Sequence, residues 1–332
     1  MNNKTILLAK RPVGKPGFDT FETIKKSVPE IKNGEVLLKT LFVSVDPYLR
    51  GRMKDSKSYI APFNINEPII SGLVAKVIES KNEKFIKEDI VAGMLKWSEY
   101  QVSNGNDLNK VNAKVSPLSV YLGILGMPGL TAYLGLTKIG EPKAGETVVV
   151  SGAAGAVGLL AGQIAKIKGC RVVGIAGSNE KVNMLKSEFG FDETINYKTT
   201  KNMHEAIAKT CPNGVDVYFD NVGGQVSDGV IFNINKFARI VICGAISVYN
   251  ATRIPVGPRL QGILLINSAL MKGFIVNDFA EEFPIAIRQL TEWYLEGKIK
   301  NKETILEGFD NIPKAFLGLF EGINTGKMIV KL

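Results

Sequence analysis

The chain has 332 residues, 45% of them hydrophobic, and no apolar run as long as a membrane span, so two domains with cores of their own are expected and a transmembrane helix is not. A single histidine and three widely separated cysteines (Cys170, Cys211 and Cys243) argue against a histidine-rich or C-x-x-C metal site and a disulfide framework, and with no serine on a Gly-x-Ser-x-Gly elbow a Ser-His-Asp hydrolase is not expected. The formal charge of +9 comes from lysines and arginines scattered beside acids, as in Lys81-Asn82-Glu83-Lys84, so a solvated surface is expected rather than a nucleic-acid partner.

Residues 1–5 lack the apolar segment of a signal peptide, and a cytoplasmic protein is expected. Residues 36–45 and 68–79 read as strands with turn residues between them, which makes residues 1–126 a compact β-rich domain. The texture then changes. The apolar strand 147–150 runs into the glycine-rich SGAAGAVG (residues 151–158) and on into a helical stretch, 159–168. The apolar face of that stretch is Val157, Leu160, Ala161, Ile164 and Ile167, and Gly169 stops it. Gly152, Gly155 and Gly158 lack the Cβ atoms that would hold a pyrophosphate away from backbone amides or the helix away from its strand. With Ala153 and Ala154 they form the candidate phosphate cradle of a dinucleotide.

A second strand, 171–176, ends where an NAD-binding chain places an acid against the ribose 2′-hydroxyl. Here Gly177-Ser178-Asn179 follows, with Lys181 just inside the next helix, and Glu180 is accounted for as a partner of the helix dipole. Ser178 and Lys181 can receive a 2′-phosphate, so the cofactor expected is NADP(H). Strand-like runs at 193–197, 215–222, 238–245 and 271–276 alternate with helical stretches at 180–189, 203–209 and 227–235. That pattern is a doubly wound parallel sheet of the Rossmann kind, which binds ligands beyond the carboxyl ends of its strands. Asn221 and the glycines 223 and 224 follow one such end, Cys243 and Gly244 another, and Tyr197, after a third, is placed to cover an adenine. His204 reads as a surface residue of a helix. A helical stretch at 313–321 and a strand at 327–332 close the chain. Residues 298–332 thereby return to the first domain, and 127–297 form an inserted NADP-binding domain.

Several motifs together resemble one family. They are SVDPYLRGRM (44–53), MPGLTAY (127–133), YFDNVGG (218–224), CGAISVYN (243–250) and GFIV (273–276), spread over most of the chain. In this order the sequence resembles the medium-chain dehydrogenase/reductase superfamily, whose fold is a Rossmann domain inserted in a GroES-like β-rich domain. It is similar in particular to the zinc-independent branch of leukotriene B4 12-hydroxydehydrogenase, prostaglandin reductase and curcumin reductase. Zinc-dependent relatives carry a cysteine and a Gly-His-Glu where this chain has Val45-Asp46-Pro47 and Ile70-Ser71-Gly72, so no metal ligand is expected.

The resemblance implies NADPH-dependent reduction of the carbon–carbon double bond of an α,β-unsaturated ketone or aldehyde. In that reaction hydride goes to the β-carbon, and the enolate is then protonated. It implies cofactor contacts at the glycine loop, Lys181, Tyr197 and Asn221, at Cys243, Gly244, Ala245, Ile246 and Ser247, and at Phe274, Ile275 and Val276. Asn324 is added on the resemblance alone, as a tie between the domains across the cofactor. Relatives place an enolate-binding tyrosine where this chain has Ile266, which leaves Tyr249, Tyr48 or water as the donor; Tyr249 is favoured because it follows the strand end beside the nicotinamide. A homodimer formed along residues 262–276 is implied as well. A quinone substrate and an NADPH-binding protein acting on nucleic acid are the alternatives.

Overall fold

The structure, a computed structural model, describes residues 2–332. It forms two compact units: one takes the chain up to Leu122 and again from Glu303 to Leu332, the other runs from Gly123 to Lys302. In chain order the first unit supplies β1 (Asn2–Leu8), β2 (Phe21–Ser27), β3 (Val36–Ser44), α1 (Leu49–Arg52), β4 (Ile70–Ser80), β5 (Ile90–Lys96), β6 (Tyr100–Ser103) and β7 (Leu108–Lys110). The second supplies α2 (Met127–Gly135), β8 (Thr147–Ser151), α3 (Ala156–Ile167), β9 (Arg171–Ala176), α4 (Asn179–Phe189), β10 (Glu193–Asn196), α5 (Met203–Thr210) and β11 (Val215–Asp220). It continues with α6 (Gly224–Ile231), β12 (Ile234–Ile242), α7 (Gln261–Ile266), β13 (Leu270–Gly273) and α8 (Phe283–Leu295). The chain then returns to the first unit with β14 (Glu303–Glu307), α9 (Ile312–Leu319) and β15 (Lys327–Lys331).

The first unit is built on a mixed sheet in the order β14-β15-β3-β4-β5-β7, with β6 also paired to β3 and a separate β1–β2 ribbon. Apolar residues alternating along β3 and β4 put Val36, Leu38, Leu73, Ala75 and Val77 on one buried face. Against that face α9 lays Ile312, Ala315, Phe316 and Leu319, three and four residues apart as a helix stripe requires. Trp97, fully buried, meets Phe316 edge-on with ring centroids 6.4 Å apart. The C-terminal strand joins this sheet, Ile329 opposite Ser44, so the second unit is an insertion in the chain of the first.

The second unit is a parallel sheet in the order β10-β9-β8-β11-β12-β13. From β8 the chain moves outward one way through β9 and β10, then crosses to β11 on the other side. The switch point therefore falls between β8 and β11, where such sheets bind ligands. All five residues of β8 are buried, as in a sheet covered on both faces. Three predicted elements need correction. The helix expected at 227–235 is α6, which starts at Gly224 and stops at Ile231, because Ile234 already pairs with Val215 in β12. The strands expected to reach 245 and 276 end at Ile242 and Gly273, so residues 243–247 and 274–276 lie in the strand-end loops. Among these, Val276 packs with Tyr133, Phe279 and Phe283 around Leu130, Leu134 and Ala286, joining α2 to α8.

Candidate functional site

At the end of β8 the chain reverses into α3 through Gly152, whose φ of +59° strains any side-chain-bearing residue. A Cβ on Gly158 would stand 2.4 Å from the carbonyl oxygen of Gly152, and one on Gly155 would stand 3.2 Å from the same atom. The first turn of α3 therefore closes on the strand with only hydrogen between. Ala153 N donates to Ile175 O at 3.0 Å and Gly155 N to Gly152 O at 2.9 Å, and both alanines of the loop, Ala153 and Ala154, are buried. Gly155 is the N-cap, so the amides of Ala156, Val157 and Gly158 begin the helix with no helical carbonyl behind them. Backbone N–H groups at the positive end of a helix, edged by glycine, fit a pyrophosphate.

Across the switch point, Asp220 closes β11 with its carboxylate buried. A single oxygen, Oδ1, accepts from Ser151 Oγ at 2.8 Å, Tyr218 OH at 2.8 Å, Val222 N at 2.9 Å and Gly223 N at 2.9 Å. Asn221 completes the clamp: its N donates to Ser151 Oγ and its Nδ2 to Ser151 O. The loop after β12 folds over this turn. Cys243 N and Gly244 N donate to Asp220 O, Ile246 N to Asn221 O, and both N and Oγ of Ser247 to Val222 O. Gly223 sits at φ +69°, which favours glycine, and a Cβ there would stand 3.2 Å from that of Ala245. Asn221, Cys243, Gly244, Ala245, Ile246 and Ser247 are thus one hydrogen-bonded wall next to the glycine cradle. Desolvation first and the charge of Asp220 second push the Cys243 thiol up to about 12, so it stays protonated and is no nucleophile. Desolvation, with the Asp220 charge second, also raises Tyr218 well above a phenol's ordinary range.

Beyond β9, Ser178 caps α4, its Oγ accepting from Lys181 N at 3.3 Å. Burial first and the neighbouring Lys198 second lower the Lys181 ammonium from its usual value. The ring of Tyr197 lies on Gly177, where a Cβ would stand 2.9 Å from it, and Asn196 Nδ2 donates to Asn179 Oδ1 at 2.8 Å. The ends of β9 and β10 are thus tied, and Ser178, Lys181, Tyr197 and Lys198 surround one place. Lys198 was missed in the sequence; its signal was only that it follows Tyr197.

Of the remaining predicted residues, Tyr249 lies at this wall and the others fall elsewhere. Tyr249 OH accepts from Ala245 N at 3.4 Å, bracing its own loop, with its phenol raised by burial. Phe274 packs on Gly135 of α2, and Ile275 N donates to Asp278 Oδ2 at 3.2 Å. Ile266 lies on α7 with 79% of its surface exposed. In the first unit, Asn324 Nδ2 donates to Gly326 O at 2.9 Å, and Tyr48 precedes α1, half-buried against the core. Desolvation, then the charge of Asp46, raises the Tyr48 phenol far above its ordinary range. Among the described residues no three His, Cys, Asp or Glu side chains come together to hold a metal ion, and no helix is long and apolar enough to cross a membrane.

Residues 4–111 match a family described as the N-terminal domain of oxidoreductase, and residues 156–292 one described as zinc-binding dehydrogenase. Prostaglandin reductase 1 of Sus scrofa is 46% identical over 99% of this chain and 98% of its own length. The NADPH-dependent curcumin reductase of Escherichia coli is 41% identical over 99% and 97%. The crystal structure of CurA from Vibrio vulnificus in complex with NADPH superposes with a TM-score of 0.94 at 44% identity, covering 99% of this chain and 98% of that one. With likeness of this depth over both units, the chain belongs to the prostaglandin reductase and curcumin reductase branch of the medium-chain dehydrogenases/reductases.

Proposed function

We propose that the protein is an NADPH-dependent reductase of the carbon–carbon double bond of α,β-unsaturated ketones and aldehydes, working without a metal. The observation that carries the reading is the pairing of two features in the second unit. One is a glycine cradle with no space for a Cβ at Gly158; the other is a serine, a tyrosine and two lysines gathered at the end of β9. The first suits a pyrophosphate and the second a 2′-phosphate. NADPH-dependent relatives such as the curcumin reductase support the choice.

Bound there, NADPH supplies the hydride that the substrate's β-carbon receives. Asn221 and residues 243–247 would hold the reacting end of the cofactor, and Cys243, Gly244, Ala245 and Ile246 bring no charged side chain to it. As the β-carbon is reduced, negative charge gathers on the carbonyl oxygen, and a neutral phenol donating to it lowers the barrier. Tyr249 and Tyr48 are the candidates for that donor, and burial raises both phenols, so either stays protonated at working pH. Tyr249 is favoured, since its hydroxyl lies beside Gly244 and only accepts from Ala245 N, a bond that does not use its proton. A proton delivered at the α-carbon completes the saturated product. The first unit, a β-rich body of residues 1–122 and 303–332, is the proposed substrate-binding half, and a cytoplasmic location is proposed with it.

The test is oxidation of NADPH, followed by its absorbance, with a panel of enones, enals and quinones and with NADH in parallel. NADPH-selective consumption with enones and a saturated ketone as product is expected. Turnover confined to quinones would replace the substrate class, and binding without turnover would remove the enzyme reading.

A further inference from the structure

A carboxylate is buried behind the wall that follows β11 and β12, and the groups that bond to it are neutral. Asp220 is 2% exposed. Its Oδ1 takes hydrogen bonds from two hydroxyls, those of Ser151 and Tyr218, and from two backbone amides, those of Val222 and Gly223. Ser151 Oγ also accepts from Asn221 N, so its own proton is free to point at the carboxylate. Four donors around one oxygen suit the ionised form. Among the described residues no ion pair includes Asp220.

The hydrogen bonds alone do not call for that charge. All four donors meet a single oxygen, so an amide with its oxygen in the same place would serve them too. A buried charge with no cation beside it is expensive to keep. The charge is also felt in the wall itself. Burial first, with the charge of Asp220 among the further causes, pushes the Cys243 thiol up to about 12 and raises the Tyr249 phenol. Both residues belong to the loop after β12, whose Cys243 N and Gly244 N donate to Asp220 O. A cation brought to this wall would therefore meet a fixed anion behind it, in buried surroundings that screen charge poorly.

We propose that Asp220 is the counter-charge of the oxidised nicotinamide, favouring NADP+ over NADPH on this wall; this rests on the reading that Asn221 and residues 243–247 hold the reacting end of the cofactor. A dihydronicotinamide ring is neutral. When its carbon–hydrogen bond breaks, the hydride carries both electrons to the β-carbon of the enone. The ring is left with one positive charge and the enolate with one negative. A carboxylate already in place where positive charge develops lowers the energy of the charged ring, and makes the bound cofactor a stronger hydride donor.

The test is calorimetric titration of the full chain with NADPH and with NADP+ at one ionic strength, comparing wild type, Asp220→Asn and Tyr218→Phe. Asp220→Asn keeps an acceptor for the four donors and removes the charge, and it should weaken NADP+ relative to NADPH by about tenfold. Tyr218→Phe removes one donor and keeps the charge, so any loss should fall on both forms alike. Equal losses for the two forms in Asp220→Asn, or an unchanged ratio, would mean a purely structural clamp and overturn the proposal. A shift of the ratio as large in Tyr218→Phe would do the same. If Asp220→Asn does not fold, Asp220→Ser combined with Tyr218→Phe removes the charge together with a donor facing it and carries the same ratio. Turnover is not read, so the enone assignment can fail while this result stands. A wild-type chain that binds neither form would take down the cofactor reading and this proposal with it.

Discussion

Lys181 shows how a single ammonium can set cofactor choice. It is half-buried with Lys198 close enough to lower its pKa, and an anion placed between the two ammonium groups would relieve their repulsion. Lys181→Ala should weaken NADPH binding by about 1.5–3 kcal/mol, roughly ten- to a hundredfold, and leave NADH binding nearly unchanged. Equal losses with both cofactors would end the assignment. The pH dependence follows in sign. The protonated lysine binds the 2′-phosphate, so the preference for NADPH should be full at neutral pH and fall as pH rises through the lowered pKa of Lys181. In Lys181→Ala that decline should flatten. The glycines and Lys181 were legible in the sequence, because a missing side chain and a missing acid are properties of the sequence itself. Asp220 was not: its four donors meet at one oxygen only after β8 and β11 are side by side. The buried ion pair of Asp46 and Lys327 in the first unit, 3.2 Å apart, was illegible for the same reason, its members lying near opposite ends of the chain.

The loop joining β8 to α3 tests how tightly an element must pack to bind. A Cβ on Gly158 meets the carbonyl of Gly152 at 2.4 Å, and no rotamer change can relieve a clash with backbone. Gly158→Ala should force α3 outward, cost about 1–3 kcal/mol of stability and impair NADPH and NADH binding alike, because the pyrophosphate is common to both. That pattern is the opposite of the one expected for Lys181→Ala, so parallel titrations with the two cofactors separate the two roles. An unchanged melting temperature with intact binding would refute it. Elements of this kind, apolar strands bounded by glycine, were read closely from the sequence: β9 falls at its predicted residues and β8 extends one residue further, to Ser151. The boundary between α6 and β12 was not. Val230, Ile231 and Ile234 suit a helix face and a strand equally, and pairing with Val215 decides where the helix stops.

Assembly is where the sequence was least able to speak, since an apolar run does not say whether the fold buries it. In the structure residues 262–276 are divided between α7 and β13, and much of their apolar surface faces outward: Leu265 is 80% exposed, Ile266 79% and Leu270 49%. β13 is the outer strand of a parallel sheet, with only β12 beside it, and the described residues of this chain offer no further strand for its free edge. Parallel sheets are ordinarily covered, and an open apolar edge invites a partner. A second copy of the chain, pairing edge to edge along β13 with α7 against α7, would cover these residues in a symmetric contact. A dimer at micromolar concentration is therefore expected in sedimentation. Leu265→Glu combined with Leu270→Glu should give a monomer, because symmetry brings the new carboxylates of both copies into one apolar contact, where they repel and lose water. NADPH binding should survive in that monomer, since the glycine cradle and the Lys181 cluster are built wholly within one chain. A wild-type mass of one chain would leave the exposed leucines without a partner and overturn the dimer.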